Sequence, residues 1–422
     1  MPIKTDVVIT GLGVVCPIGV GCDQFWESLR RGRSGLRRAE ILDGAPMSPA
    51  AVGEVTNLDA AQFVRPRKAL KVMSRDIQLA FVAAELACRQ AGIAPGQVDP
   101  ERLGVVFGAD MISCELEELA PAYRQCLTNG SFDSSRWGTQ AMGEMFPLWM
   151  LKYLPNMPAC HIGIALDARG PNNSIVLGEV SSLAAIAEAV RVIERGQADA
   201  MIAGGTGCRT HPIVWSRRPI YQPCERFRDP AEACRPFDAR RAGQVFGEGA
   251  GAIVLERREH AAARGARPLA RLISFAASFE PKPRHSLITG EAIRSAIRRA
   301  LADAGLTPQQ IGHVNAHGLS TLHDDAVEAQ AIRAELGSVP VTALKSFFGN
   351  LAAGTGAVEL VGSVLAIVHR EIPITLNYEI PDPQCPIEVV HGQPAPLHEP
   401  TALCLNHAWT GQAHAIILGP AD

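Results

Sequence analysis

Short β-branched runs alternate with stretches of helical periodicity along almost the whole chain. That alternation confines it to α/β folds, in which mostly parallel sheets are covered by helices. Asp6-Val7-Val8-Ile9-Thr10-Gly11-Leu12-Gly13 is an apolar run closed by glycines, a buried strand followed by a turn. A helix is expected over 67–92, stopped by Gly92, and a strand over Leu103–Gly108. Residues 183–194 are almost wholly apolar, so their helix is either buried or packed on a partner subunit. A strand at 198–205 closes the first half. The second half reads as strand 250–256, helix 289–305, strand 312–316, helix 323–336, strand 339–343, helix 354–370 and strand 412–418. No sequence repeat, low-complexity tract or long linker interrupts this pattern.

Composition bounds the rest. A chain of 422 residues, 47% hydrophobic, buries a large core as one α/β unit or two fused halves. A net charge of −3 argues against bulk electrostatic binding to nucleic acid or an anionic membrane. The N-terminal residues lack the apolar run of a signal peptide. The apolar stretches stop short of the ~20 residues that span a bilayer, and a cytoplasmic location is expected. The eleven cysteines are dispersed, with no Cys-x-x-Cys pair and no zinc spacing, so they read as reduced, buried small hydrophobes. Gly11-x-Gly13 lacks the third glycine of a dinucleotide fingerprint and reads as a tight turn. The charge runs at 33–38 and 257–264 read as solvated surface.

Four segments carry chemistry: Gly170-Pro171-Asn172-Asn173-Ser174-Ile175-Val176-Leu177-Gly178-Glu179-Val180-Ser181-Ser182, Phe246-Gly247-Glu248-Gly249-Ala250-Gly251, Val314-Asn315-Ala316-His317-Gly318-Leu319-Ser320-Thr321 and Leu344-Lys345-Ser346-Phe347-Phe348-Gly349-Asn350. In this order, and from Val7 to Leu418, the chain resembles the elongating β-ketoacyl-acyl-carrier-protein synthases, which join acyl thioesters by Claisen condensation. The resemblance implies a thiolase fold: two similar α/β halves in a five-layered αβαβα core. The halves would be 1–255, with the Glu179 elbow and dimer contacts, and 256–422, with His317, Lys345 and Asn350. It also implies acyl groups presented on the phosphopantetheine of an acyl carrier protein or on CoA, with no other cofactor and no metal. The expected assembly is a homodimer, or a heterodimer with an active ketosynthase, without nucleic-acid or membrane partners.

Residue by residue, the resemblance puts Glu179 where the family carries its nucleophilic cysteine, at a strand-to-helix elbow. The helix terminus favours a carboxylate there and burial favours the neutral acid, so its ionisation is left open by sequence. The plain structural reading is a plug in a dead pocket. Ser181 and Ser182, one turn on, lack a base. His317 matches the histidine that polarises a thioester carbonyl, with Asp325 and Glu328 as supports and Ser320 and Thr321 beside the substrate. Lys345 matches the family lysine, acting through a carboxylate such as Glu328; an ordinary buried ion pair is the alternative. Asn350 replaces a second histidine, and its NH₂ is able to donate to a thioester oxygen. The backbone N–H of Thr410 would complete an oxyanion hole with that of Glu179, while Trp409 and Gln412 narrow the space around Gly411. Arg65, Arg67, Lys68 and Lys71, extended by Arg217 and Arg218, form either a carrier-docking patch or a solvated helix start.

Without a placed thiol, ordinary condensation is not expected. The first reading is a chain-length-factor-like subunit paired with an active synthase, its helices near 115–125 and 183–194 shaping a shared acyl tunnel. The alternative is a malonyl-thioester decarboxylase, which an ionised Glu179 would oppose by repelling the malonyl carboxylate and a protonated one would assist. The third is an acyltransferase with Glu179 as nucleophile.

Overall fold

The structure is a computed structural model that describes residues 3–39, 49–217, 221–283 and 286–422; Arg218 lies outside them. The principal elements of the first half are β1 (Val7–Cys16), α1 (Arg75–Ala91), β2 (Leu103–Gly108), α2 (Met157–Leu166), β3 (Asn172–Ile175), α3 (Ser181–Glu194), β4 (Ala200–Cys208) and β5 (Phe246–Arg257). Those of the second are β6 (Ala270–Phe279), α4 (Glu291–Ala304), β7 (His313–Asn315), α5 (Leu322–Leu336), β8 (Pro340–Thr342), α6 (Thr355–His369), β9 (Ala402–His407) and β10 (Gln412–Gly419). The order of elements is the same in both.

So is the sheet. The first half runs β3-β2-β4-β5-β1 across the sheet and the second runs β8-β7-β9-β10-β6. In each, the strand last in sequence is antiparallel to the first and to the fourth, while the other pairings are parallel. Val8 and Ile9 of β1 pair with Arg271 and Ala270 of β6, which joins the two sheets edge to edge. Sequence shows no such duplication because the halves share a pattern of burial rather than residues.

α3 and α6 share one buried cluster with inward-facing residues of both sheets, including Leu183, Val190, Val358 and Leu365. α1 and α2 cover the outer face of the first sheet, and α4 and α5 that of the second. This is the layered thiolase arrangement. The apolar 183–194 stretch is therefore a central helix, buried by the chain's own second half. Among the described residues, the one stretch of helix long and apolar enough to cross a bilayer, Ala352–His369, is 89% buried in the same layer. The glycines of β5 have a packing cause: a Cβ at Gly251 would lie 2.5 Å from the backbone of Ala357 on α6.

Most expected boundaries agree within two or three residues. The helix expected from 67 starts instead at Arg75, preceded by a separate 3₁₀ turn at Arg67–Val72. The helix near 115–125 forms at Leu116–Gln125. The eleven cysteines are all unpaired, and burial pushes Cys16 and Cys88 up to about 12.

Candidate functional site

The site is built on the turn between β3 and α3. Gly178 takes φ 60°, where a side chain would strain the backbone. Ser181 Oγ accepts from Leu177 N at 2.8 Å and donates to Gly178 O at 2.6 Å, pinning the elbow. Ser182 Oγ accepts from Ala357 N at 3.0 Å, tying α3 to α6. Both serines are thus structural. The turn holds Glu179 at 5% exposure.

Glu179 does not meet His317. Its carboxylate forms a buried ion pair with Arg209, the residue just after β4. Arg209 is 3% exposed, stacks on the Tyr221 ring at 4.5 Å and donates through Nη1 to Gln244 Oε1 at 3.1 Å. Asn350 Nδ2 donates to the same Gln244 oxygen at 2.7 Å. Burial works to raise the Glu179 pKa. The Arg209 charge, Glu179's own N–H, the Arg209 hydrogen bond and the His407 charge outweigh it and hold the carboxyl below its usual range. The contest left open by sequence is settled by Arg209, and Glu179 is ionised.

A second network lies deeper. Lys345 Nζ donates to Glu359 Oε1 at 2.7 Å and contacts His317 Nδ1 at 3.0 Å. Asn406 Nδ2 donates to Glu359 Oε2 at 2.8 Å and approaches the same imidazole nitrogen at 3.2 Å. Both neighbours of His317 Nδ1 are donors, so that nitrogen accepts and the proton resides on Nε2. Burial, then the charges of Lys345, His407 and Arg209, push the His317 pKa far down, so the imidazole is neutral. Glu328 does not pair with Lys345 as expected. It accepts from the backbone N–H groups of His317 at 2.6 Å and Gly318 at 2.8 Å, and so shapes the turn that carries the histidine. Glu359, the partner in fact, is pushed up to about 7, burial outweighing Lys345 and Asn406.

An acid whose folded pKa is raised contributes stability below its unfolded pKa and loses it as pH rises through the folded one. Between pH 4.5 and 7, wild type is therefore expected to lose stability relative to Glu359→Gln. At roughly 1.4 kcal/mol per pKa unit the difference is at most about 3 kcal/mol. Urea unfolding at a series of pH values checks it; a flat difference would contradict it.

Other expected positions divide. A cavity of about 600 Å³ is lined by Glu179, Tyr221, Gln244, Thr321, Trp409 and Thr410, with Lys282 at its side. Lys282 Nζ lies 5.4 Å over the Trp409 ring. Gly411 lies in the tight turn joining β9 to β10, at φ 101°, its N–H bonded to Ala408 O at 2.9 Å. Ser320 is fully buried and its hydroxyl accepts from Arg235 N at 3.0 Å, so it braces the loop and is not among the lining residues of this cavity. Asp325 also points away, accepting from Phe237 N at 2.8 Å and lying 3.7 Å from Arg241. Asn350 is tied to the protein: one N–H of its amide donates to Gln244, and its oxygen accepts from Ala352 N at 3.0 Å. Neither Asn350 nor His317 nor Lys345 lines the cavity, and each is at most 1% exposed. Arg65, Arg67, Lys68 and Lys71 are exposed on and just before the 3₁₀ turn ahead of α1, apart from the cavity.

Sequence reasoning missed Arg209, Gln244, Glu359 and His407. Glu359 had a signal, a lone acid inside the apolar helix α6. Arg209 and Gln244 had none, since a polar residue beside a glycine-rich strand reads as surface.

Residues 4–261 match the family model "Beta-ketoacyl synthase, N-terminal domain" and residues 269–379 match "Beta-ketoacyl synthase, C-terminal domain". A 3-oxoacyl-[acyl-carrier-protein] synthase 2 of Synechocystis is 33% identical over 419 residues, 97% of this chain and 96% of that one. A crystal structure of a β-ketoacyl synthase from Burkholderia phymatum superposes with a TM-score of 0.88 at 29% identity, covering 99% of this chain and 100% of the other. The ishigamide ketosynthase/chain length factor gives 0.84 at 28% identity, covering 99% of each chain.

Proposed function

The chain belongs to the β-ketoacyl synthase family of fatty-acid and polyketide biosynthesis, and from that premise we propose that it is a member that binds acyl thioesters without condensing them. Glu179 takes the position of the family nucleophile. The acyl group arrives on the phosphopantetheine of an acyl carrier protein, or on CoA, and the protein serves as a chain-length-factor-like subunit beside an active synthase. The observation that carries this reading is the buried Glu179–Arg209 pair. Its Glu179 lines the cavity, where no cysteine is found among the described lining residues, and His317 and Lys345 lie outside the lining. A carboxylate neutralised by a guanidinium is a weak nucleophile, which also disfavours acyl transfer through Glu179.

Two surfaces fit partners of this kind. Strand β3 is an open sheet edge, and beside it Ile164, Val176 and Leu177 expose 77%, 47% and 41% of their surface. An unpaired edge with apolar neighbours is a template for pairing with a second subunit. The basic cluster Arg65, Arg67, Lys68 and Lys71, with Arg217, suits an acidic carrier protein.

One observation favours decarboxylation of a malonyl thioester as the second reading. Arg209 cancels the Glu179 charge, so the repulsion that opposed the reaction is largely removed. A protonated Glu179 has no place in that reading, because its carboxyl is held ionised. Mass spectrometry of a malonyl-loaded carrier protein incubated with this protein separates the two. An unchanged malonyl mass is expected; loss of CO₂ that disappears in His317→Ala would establish the decarboxylase instead.

A further inference from the structure

His407, at the end of β9, has no place in the arrangement just described, and it is 1% exposed. Its ring packs edge-on against His317 with centroids 4.5 Å apart. Neither of its nitrogens has a hydrogen-bond partner among the described residues, and His317 Nε2 has none either. The nearest acid, Glu328 Oε2, is 3.8 Å from His407 Nε2, an ion-pair contact too long for a hydrogen bond. Buried polar atoms without partners carry a desolvation cost and are rare in folded proteins. Here they fall side by side on two imidazoles next to the cavity-lining pair Trp409 and Thr410. The Asn350 amide gives one of its N–H groups to Gln244.

We propose that His407 is the second imidazole of this site, and that with His317 Nε2–H it forms a two-donor cradle for the carbonyl oxygen of an acyl thioester. The proposal rests on the reading that the cavity takes acyl thioesters. Neither ring lines the cavity, so the oxygen reaches them only past its lining, of which Glu179, Trp409 and Thr410 are members. His317 donates as a neutral imidazole, its proton fixed on Nε2 by Lys345 and Asn406. For His407, burial works against the charged form, but the contact with Glu328 and the charges of Glu328 and Asp324 outweigh burial and the opposing charge of Lys345, raising its pKa. The environments thus push the two rings in opposite directions, His317 towards the neutral form and His407 towards the charged one, the kind of divergence seen where a site handles a developing oxyanion.

The test uses a carrier protein whose phosphopantetheine ends either in an acetyl amide, which keeps the oxygen and resists hydrolysis, or in an ethyl thioether, which lacks it. Wild type is expected to bind the amide form about ten- to a hundredfold tighter, the range for a buried donor that is satisfied rather than left without a partner. His407→Phe should erase that preference while leaving thioether affinity unchanged, and His407→Gln, which keeps a donor, should restore part of it. Equal discrimination by His407→Phe, equal loss for both ligands, or wild type binding both equally would overturn the cradle. Binding of neither by wild type would overturn the acyl-thioester reading itself. Imidazole ¹⁵N spectra of wild type give a readout free of folding defects: the amide ligand should shift the His407 ring resonances and the thioether should not.

Discussion

Arg209→Met is expected to lower the unfolding free energy by about 3–5 kcal/mol, the range for leaving one member of a buried ion pair alone. Glu179 would remain behind at 5% exposure with its charge uncompensated. Gln244 would lose a donor to its oxygen at the same time. The double variant Glu179→Gln/Arg209→Met should recover most of the loss, because a neutral pair of similar volume avoids the desolvation of two charges. The effect has a pH signature. Glu179 has a lowered folded pKa, so its pair contributes stability that is present above the unfolded value of 4.5 and is lost as pH falls through the lower folded value. The gap between wild type and Arg209→Met should therefore narrow below pH 4.5. Urea unfolding of the three proteins at two pH values measures all of this. A single variant as stable as wild type would show that Glu179 is not held as an ionised partner.

The second large effect concerns reactivity. Glu179→Cys places a thiol at the N-terminal turn of α3, beside the Arg209 guanidinium. Both features stabilise a thiolate. The introduced thiol is expected to alkylate with iodoacetamide at pH 7 at least about tenfold faster than the buried native cysteines, of which Cys16, Cys88 and Cys404 are pushed up to about 12 by burial. Adding Arg209→Met should slow the reaction. Peptide mapping after timed alkylation gives the rates. If the Glu179→Cys thiol reacted no faster than Cys404, the elbow would not activate a nucleophile in this chain.

These expectations depend on residues of very unequal visibility in sequence. The layered fold was legible because most strands and the central helices α3 and α6 are buried on several sides and so read as apolar runs. Strand β3 was not, since Asn-Asn-Ser-Ile at an open edge carries no apolar alternation, and its pairing with β2 is fixed by tertiary contact. The turn before α1 has helical spacing and so looks like helix in sequence, although the chain there is a separate 3₁₀ turn bounded by Pro66 and Met73.

Within the site, motif residues were placed by their segments, but their partners were not. Lys345 had two acids within plausible reach along the chain, and only the packing of α6 against β9 selects Glu359 over Glu328. Arg209 meets Glu179 across the gap between two strand ends, thirty positions apart, a relation that no local period encodes. His407 stood in plain view in the Asn406-His407-Ala408-Trp409 segment, but its meaning depends on the ring beside it.

The most direct test of non-condensing binding is intact-mass spectrometry of the wild-type protein incubated first with an acyl-loaded carrier protein and then with a malonyl-loaded one. The expected result is no acyl adduct on the protein and no β-ketoacyl product on either carrier. A stable acyl adduct, or a β-ketoacyl carrier formed by this chain alone, would contradict the account.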